Sequence, residues 1–178
     1  MAGTREYRAG AIGRTGAGNY GHGLHLGCSR AEGVDVVAVA DPDEEGRGKA
    51  ASEVGAQNTY ADYREMLDRE NLDLVTVGPR WVDCHEEMVL ACIDAGCHIY
   101  CEKPMALTVA EGRAMVNATR KYDRVFQTGN MQRSWRNFRH ACEMVSNDYI
   151  GQIKEINVSV GNPAMACELP AVEVPDSL

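Results

Sequence analysis

Two charged side chains stand where chemistry could be done. Lys103 sits in Glu102-Lys103-Pro104, just past the run His98–Cys101, and Asp41 closes a longer apolar run, Val34–Ala40. Upstream of both, an apolar stretch marked by Ala9, Ala11 and Ile12 breaks into a loop holding Gly13, Gly16, Gly18 and Gly21. The last three fit G-x-G-x-x-G, and Asp41 follows 20 residues after Gly21. That is the spacing of a dinucleotide fingerprint.

Each part of the pattern has a physical job. Glycines allow a tight turn, a close backbone approach to a pyrophosphate and hard packing of the next helix on the strand. Free N–H groups around Asn19, Tyr20 and Gly21, at the expected helix start, would hold the phosphates. Gly13 stands where a first glycine usually would, so the phosphate-contacting set stays open among the four. Asp41 would accept hydrogen bonds from the ribose hydroxyls and repel a 2′-phosphate, and no cation follows it before Arg47; this favours NAD over NADP. The same acid would also serve as a helix N-cap.

Lys103 lies at the carboxyl end of an expected central strand, the edge where open α/β sheets bind ligands. Pro104 holds it extended. A lysine beside a nicotinamide and a substrate hydroxyl moves a proton while hydride moves, provided burial lowers its pKa. Glu102 would orient it or the nicotinamide ribose. Spacing alone equally fits a solvated lysine ahead of a proline turn.

The elements that must position these groups alternate along the chain. Expected strands are the Ala9–Ile12 run, Val34–Asp41, Thr59–Tyr60, Asn71–Val77, His98–Cys101 and Val125–Gly129. Expected helices are residues 22–33, Glu44–Val54 ended by Gly55, 63–70 capped by Asp62, one from about Asp83 to Gly96, and Val109–Tyr122 behind the capping box Thr108-x-x-Glu111. Gly23 and Gly27 share one face of the first helix, which suggests close approach to the sheet or cofactor. The near-continuous apolar strands predict a doubly wound parallel sheet, the Rossmann class of α/β fold, over residues 1–128. From 129 to 178 the character changes. Phe138, Ala141, Cys142 and Val145 mark an amphipathic bridging helix, and Glu155–Val160 alternates like the first strand of an incomplete α+β domain. One strand cannot sustain a sheet, so truncation is expected.

A length of 178 residues, with 44% hydrophobic and 25% charged, suits a soluble globular protein. The net charge of −8 argues against nucleic acid and anionic membrane surfaces as partners. No apolar run approaches a bilayer span. Seven scattered cysteines without CxxC pairs suit reduced thiols in a cytoplasmic protein. Cys97, His98 and Cys101 make a poor zinc set, because strand alternation sends neighbours to opposite faces. No metal is expected.

The glycine loop, Val39–Gly46, His85–Pro104 and Gln127–Trp135 together resemble the Gfo/Idh/MocA family of NAD(P)-dependent sugar and cyclitol oxidoreductases. The resemblance covers nearly the whole chain. It implies that Lys103 touches substrate and nicotinamide, that the glycine loop and Asp41 form the cofactor site, and that Pro79–Arg80 lines it. It also places His85 beside the cofactor and matches Arg133 to an arginine near the start of the substrate domain. Family members carry further catalytic groups in a C-terminal domain, where they often pair as oligomers. No such motif follows Arg133 here, and His140 reads as structural. The expected protein is thus an NAD(P)-dependent polyol or sugar dehydrogenase, of which this chain supplies mainly the cofactor part and is not active alone. A non-catalytic dinucleotide-sensing module and a methyltransferase are the alternatives; the EKP turn argues against the latter.

Overall fold

Six short strands form the frame: β1 (Tyr7–Ile12), β2 (Val34–Ala40), β3 (Asn58–Tyr60), β4 (Leu74–Val77), β5 (His98–Glu102) and β6 (Phe126–Gly129). They lie in the order β3-β2-β1-β4-β5-β6, and every neighbouring pair is parallel. This is the expected doubly wound Rossmann sheet. The strand order reverses between β1 and β4, which opens a crevice at their carboxyl ends. The computed structural model describes residues 7–17, 21 and 23–159.

Both faces of the sheet are covered by α1 (Leu24–Ser29), α2 (Glu44–Val54), α3 (Tyr63–Arg69), α4 (His85–Asp94) and α5 (Val109–Lys121). That explains the unbroken apolar strands. Ile12, Ala38, Val75 and Val77 join Met66, Val89, Cys92 and Met115 in the larger core, while Ala9, Ala11 and Val39 pack with Cys28 and Ala51 in a smaller one. Met66 is fully buried; cutting such a side chain to alanine costs roughly 2–5 kcal/mol. Burial raises the thiol pKa of Cys101 to about 12 and of Cys97 to about 11. The six cysteines among the described residues are free thiols.

Helix ends follow their local chemistry. Asp62 caps α3 through Arg64 N, Gly55 closes α2 at φ 74°, and Thr108 and Glu111 form the reciprocal capping box of α5. The first helix departs from expectation. α1 starts at Leu24, with Gly23 as its left-handed N-cap, and ends at Ser29. Gly27 has nothing within 4 Å of where a Cβ would be. The shared face of Gly23 and Gly27 therefore reflects a cap and an open surface, not close approach to the sheet.

The chain divides into two compact units between Ser134 and Trp135. In the second, α6 (Arg136–Ser146) is the expected amphipathic helix, with Trp135 and Phe138 rings 6.0 Å apart at its start. The strand expected over Glu155–Val160 does not form among the described residues: 155–159 are irregular and exposed, and Val160 lies outside them. A strand exists only through its ladder partner, and none is paired there. No helix among the described residues is long and apolar enough to cross a membrane.

Candidate functional site

The carboxyl ends of β1, β2, β4 and β5 bring most of the candidate residues to one edge of the sheet. Gly13 continues β1 and is buried, its N–H donating to Ala40 O at 2.9 Å. Gly21 is the tightest point. Its φ is 121°, and a Cβ there would overlap the Gly78 carbonyl and lie 2.9 Å from Gly78 Cα. Two glycines thus meet backbone to backbone where the strand order reverses, and leave the crevice floor free of side chains. Gly16, by contrast, is exposed with open space around it. Gly18, Asn19 and Tyr20 lie outside the described residues. Among the described residues α1 starts at Leu24 and not at Gly21, and the Leu24 N–H turns back to Gly21 O at 3.1 Å; Gly23, which takes a left-handed conformation cheaply, caps the helix there.

Asp41 is 1% exposed at the end of β2. Its Oδ2 accepts from Thr15 N at 2.8 Å and Thr15 Oγ1 at 2.7 Å, and its Oδ1 accepts from Asp43 N at 2.9 Å. The acid therefore anchors the glycine loop onto β2. Asp41 is not the cap of α2; Asp43 is, accepting from Gly46 N at 2.7 Å. Gly46 is needed there, because a Cβ would overlap the Thr15 side chain. The cation that looked remote in the sequence is close: the first turn of α2 returns Arg47, whose Nη1 donates to Asp41 O at 2.6 Å. Beside this group lies a cavity of about 340 Å³, lined among others by Arg14, Asp41, Pro42, Tyr63, Cys84 and Met88. Its size falls in the range of small-molecule pockets. Burial raises the Cys84 thiol pKa, and its Sγ donates to Trp81 O at 3.3 Å.

On the far side of β1 the loops after β4 and β5 carry the other candidates. Pro79 is buried, whereas Arg80 is exposed. Glu102 is 2% exposed at the end of β5, Lys103 is exposed, and the Lys103–Pro104 peptide is cis. The desolvation expected around Lys103 is not supplied by the described residues. Direct cofactor contact by His85 is corrected: its ring is 0% exposed and offers no surface to a ligand. Arg133 is exposed in the turn after β6, its N–H bonded to Asn130 O at 3.1 Å. His98, between two buried cysteines, accepts from Val125 N through Nδ1 at 3.0 Å.

Thr15, Gly46 and Gly78 were not singled out from the sequence. Gly78 precedes a proline and reads as a strand stop; its pairing with Gly21 is a long-range fact. Thr15 is one of two hydroxyl residues in the loop, with Tyr20, and nothing in their order marks it as the partner of Asp41.

The oxidoreductase family with an NAD-binding Rossmann fold matches residues 9–130. The chain belongs to the Gfo/Idh/MocA oxidoreductases. Myo-inositol 2-dehydrogenase of Thermotoga maritima is 30% identical over 145 residues, 78% of this chain and 43% of the relative. The crystal structure of myo-inositol 2-dehydrogenase from Lactobacillus plantarum superposes with a TM-score of 0.72 at 32% identity, covering 84% of this chain and 43% of that one. Scyllo-inositol dehydrogenase from Lactobacillus casei, solved with NAD(H) and scyllo-inositol, shares the fold at 20% identity and a TM-score of 0.71, with coverage of 83% and 43%. The chain thus spans less than half the length of these relatives. Membership of this NAD-binding family makes NAD the cofactor class of the Rossmann unit and removes the methyltransferase alternative.

Proposed function

We propose that this chain is the cofactor-binding part of an NAD-dependent dehydrogenase that oxidises a hydroxyl carbon of a cyclitol, sugar or related polyol. The observation that carries the reading is the common edge: the Gly21–Gly78 junction and Lys103 both lie at the carboxyl end of the sheet, in a member of an oxidoreductase family. NAD, when bound, supplies the hydride acceptor. Around it, the amides of the loop containing Gly16, Gly18, Asn19, Tyr20 and Gly21 would hold the diphosphate, with Gly13, whose own N–H goes to Ala40 O, setting where that loop leaves β1, and Asp41 would meet the adenosine ribose. Asp41 carries Thr15 on the same carboxylate, so ribose binding exchanges those bonds for hydroxyl bonds. Pro79–Arg80 lines the nicotinamide side, Glu102 braces the base of the Lys103 turn, and the Lys103 ammonium exchanges a proton with the substrate hydroxyl. Arg133 adds a cation for substrate oxygens. The relatives' names favour a cyclitol within the polyol class.

Residues 129–178 begin the substrate domain in this reading, and the whole protein is a cytoplasmic homo-oligomer. Titration calorimetry of the chain with NAD and NADP tests the cofactor assignment. Binding of NAD, tighter than NADP and with that preference narrowed by Asp41→Ser, is expected. A folded chain that binds neither coenzyme overturns it.

A further inference from the structure

We propose that His85 is a positioning residue that ties together the two loops on the β4–β5 side of the crevice, and so sets where Lys103 stands relative to Pro79–Arg80. Its consequence for the coenzyme rests on the function proposed above; the tie itself does not.

The geometry is specific. His85 opens α4, is 0% exposed, and points its two ring nitrogens in different directions. Nε2 lies 2.8 Å from the carbonyl of Pro79, just past β4, and Nδ1 lies 3.0 Å from the carbonyl of Pro104, just past Lys103. Cys101 Sγ, inside β5, is 3.6 Å from Nδ1. One rigid ring is therefore the shared partner of two loops that leave different strands. A carbonyl only accepts, so each bond needs an N–H on the nitrogen that makes it: the neutral ring carries one N–H and donates to one carbonyl, and both bonds form together only when both nitrogens carry hydrogen. The contact with the Pro79 carbonyl is buried and that with the Pro104 carbonyl partly buried; a buried carbonyl left without a donor is costly, which favours keeping the ring between the two loops.

A shorter or more flexible polar side chain reaches only one of these acceptors. The terminal amide nitrogen of glutamine occupies the place of Nε2, and that of asparagine the place of Nδ1. Phenylalanine fills the volume and donates nothing. Loss of the tie frees Lys103 and Arg80 from a fixed separation, and precise placement of a reacting group is worth large factors in rate.

The test is residue-resolved amide exchange on the 178-residue chain. His85→Phe is expected to speed exchange roughly tenfold or more at Arg80, Trp81, Lys103 and Met105, with Gly13 and Val39 unchanged. His85→Gln should release only Lys103 and Met105, and His85→Asn only Arg80 and Trp81. Should the phenylalanine variant not fold, the Gln and Asn pair still gives the opposed patterns. Uniform acceleration over β1 to β6, no change at either loop, or release in only one of the Gln and Asn variants overturns the proposal. A second arm compares NAD with ADP. The Gln and Asn variants should weaken NAD by roughly tenfold, about one hydrogen bond's worth, and leave ADP within about twofold; equal loss for both ligands counts against the tie. Opposed exchange patterns in a chain that binds neither nucleotide would uphold the tie and remove the cofactor reading alone.

Discussion

The two sides of the crevice are built differently. On the β2 side the acid is sealed in: Asp41 holds the glycine loop through Thr15 and the start of α2 through Asp43. On the β5 side Lys103 is exposed, and the Pro79 and Pro104 carbonyls flank a buried imidazole at 2.8 and 3.0 Å. Between them Gly21 and Gly78 meet with no room for a side chain. The first side thus couples any adenosine contact to local stability, while the second leaves the Lys103 side chain exposed. In the function proposed above, the adenosine contact falls on the β2 side and the nicotinamide and substrate contacts on the β5 side, and substitutions should show that division.

The largest effect belongs to the β5 side and to rate. Lys103→Met in the complete protein should lower kcat by roughly 10²–10⁴-fold, the range of general acid–base groups, while this chain carrying the same change keeps its NAD affinity in calorimetry. Equal loss of binding and rate would merge the two sides into one.

Next comes the junction. Gly21→Ala, with its positive φ and overlap with Gly78, should cost roughly 3 kcal/mol or more in urea unfolding. Gly16→Ala, in open space, should stay within about 1 kcal/mol. Similar values for the two would mean that the loop does not fold back as described.

The β2 side should respond more gently. Thr15→Ala removes the hydroxyl bond to Asp41 and should cost about 1–2 kcal/mol, as expected for a bond to a charged acceptor. It should also leave NAD affinity unchanged or improved, because ribose hydroxyls then compete with one donor fewer. Weaker NAD binding by this variant would show that Thr15 supports the coenzyme rather than shielding Asp41.

The smallest effect lies behind the loop, where His25 on α1 meets Glu53 on α2 at 2.8 Å. The hydrogen bond from His25 lowers the Glu53 pKa, with nearby positive charge adding to it. The folded pKa is below the unfolded one, so this stabilisation is present above the ordinary glutamate range and is lost as pH falls through the lowered value. Side-chain carboxyl-carbon NMR titration should place Glu53 below the ordinary glutamate range, and His25→Gln should move it back up. An unchanged titration in that variant would dissolve the α1–α2 link.

Much of this was legible in residue order, for reasons that differ by element. β1, β2, β4 and β5 were readable because strands buried on both faces must be apolar throughout, and α5 because its capping box is a local hydrogen-bond pair. Asp41 and Lys103 stand out as candidates because strand ends are where sequence periodicity stops. α1 was overextended: glycine in a window reads as a helix defect, while Gly23 acts as the cap. The capping alternative for Asp41 passes to Asp43, because both acids are within capping distance and only packing against Thr15 separates them. The Gly21–Gly78 contact and the His85 bridge join residues from different strands, so no local pattern could contain them.

The most direct measurement is a two-dimensional amide NMR titration of the 178-residue chain with NAD. The account predicts shifts that saturate together at Gly13, Gly21, Gly78 and Lys103, on both sides of β1, with α5 residues such as Met115 unmoved. Shifts absent from these positions in a folded, well-dispersed spectrum, or confined to a surface away from the carboxyl edge of the sheet, would contradict it.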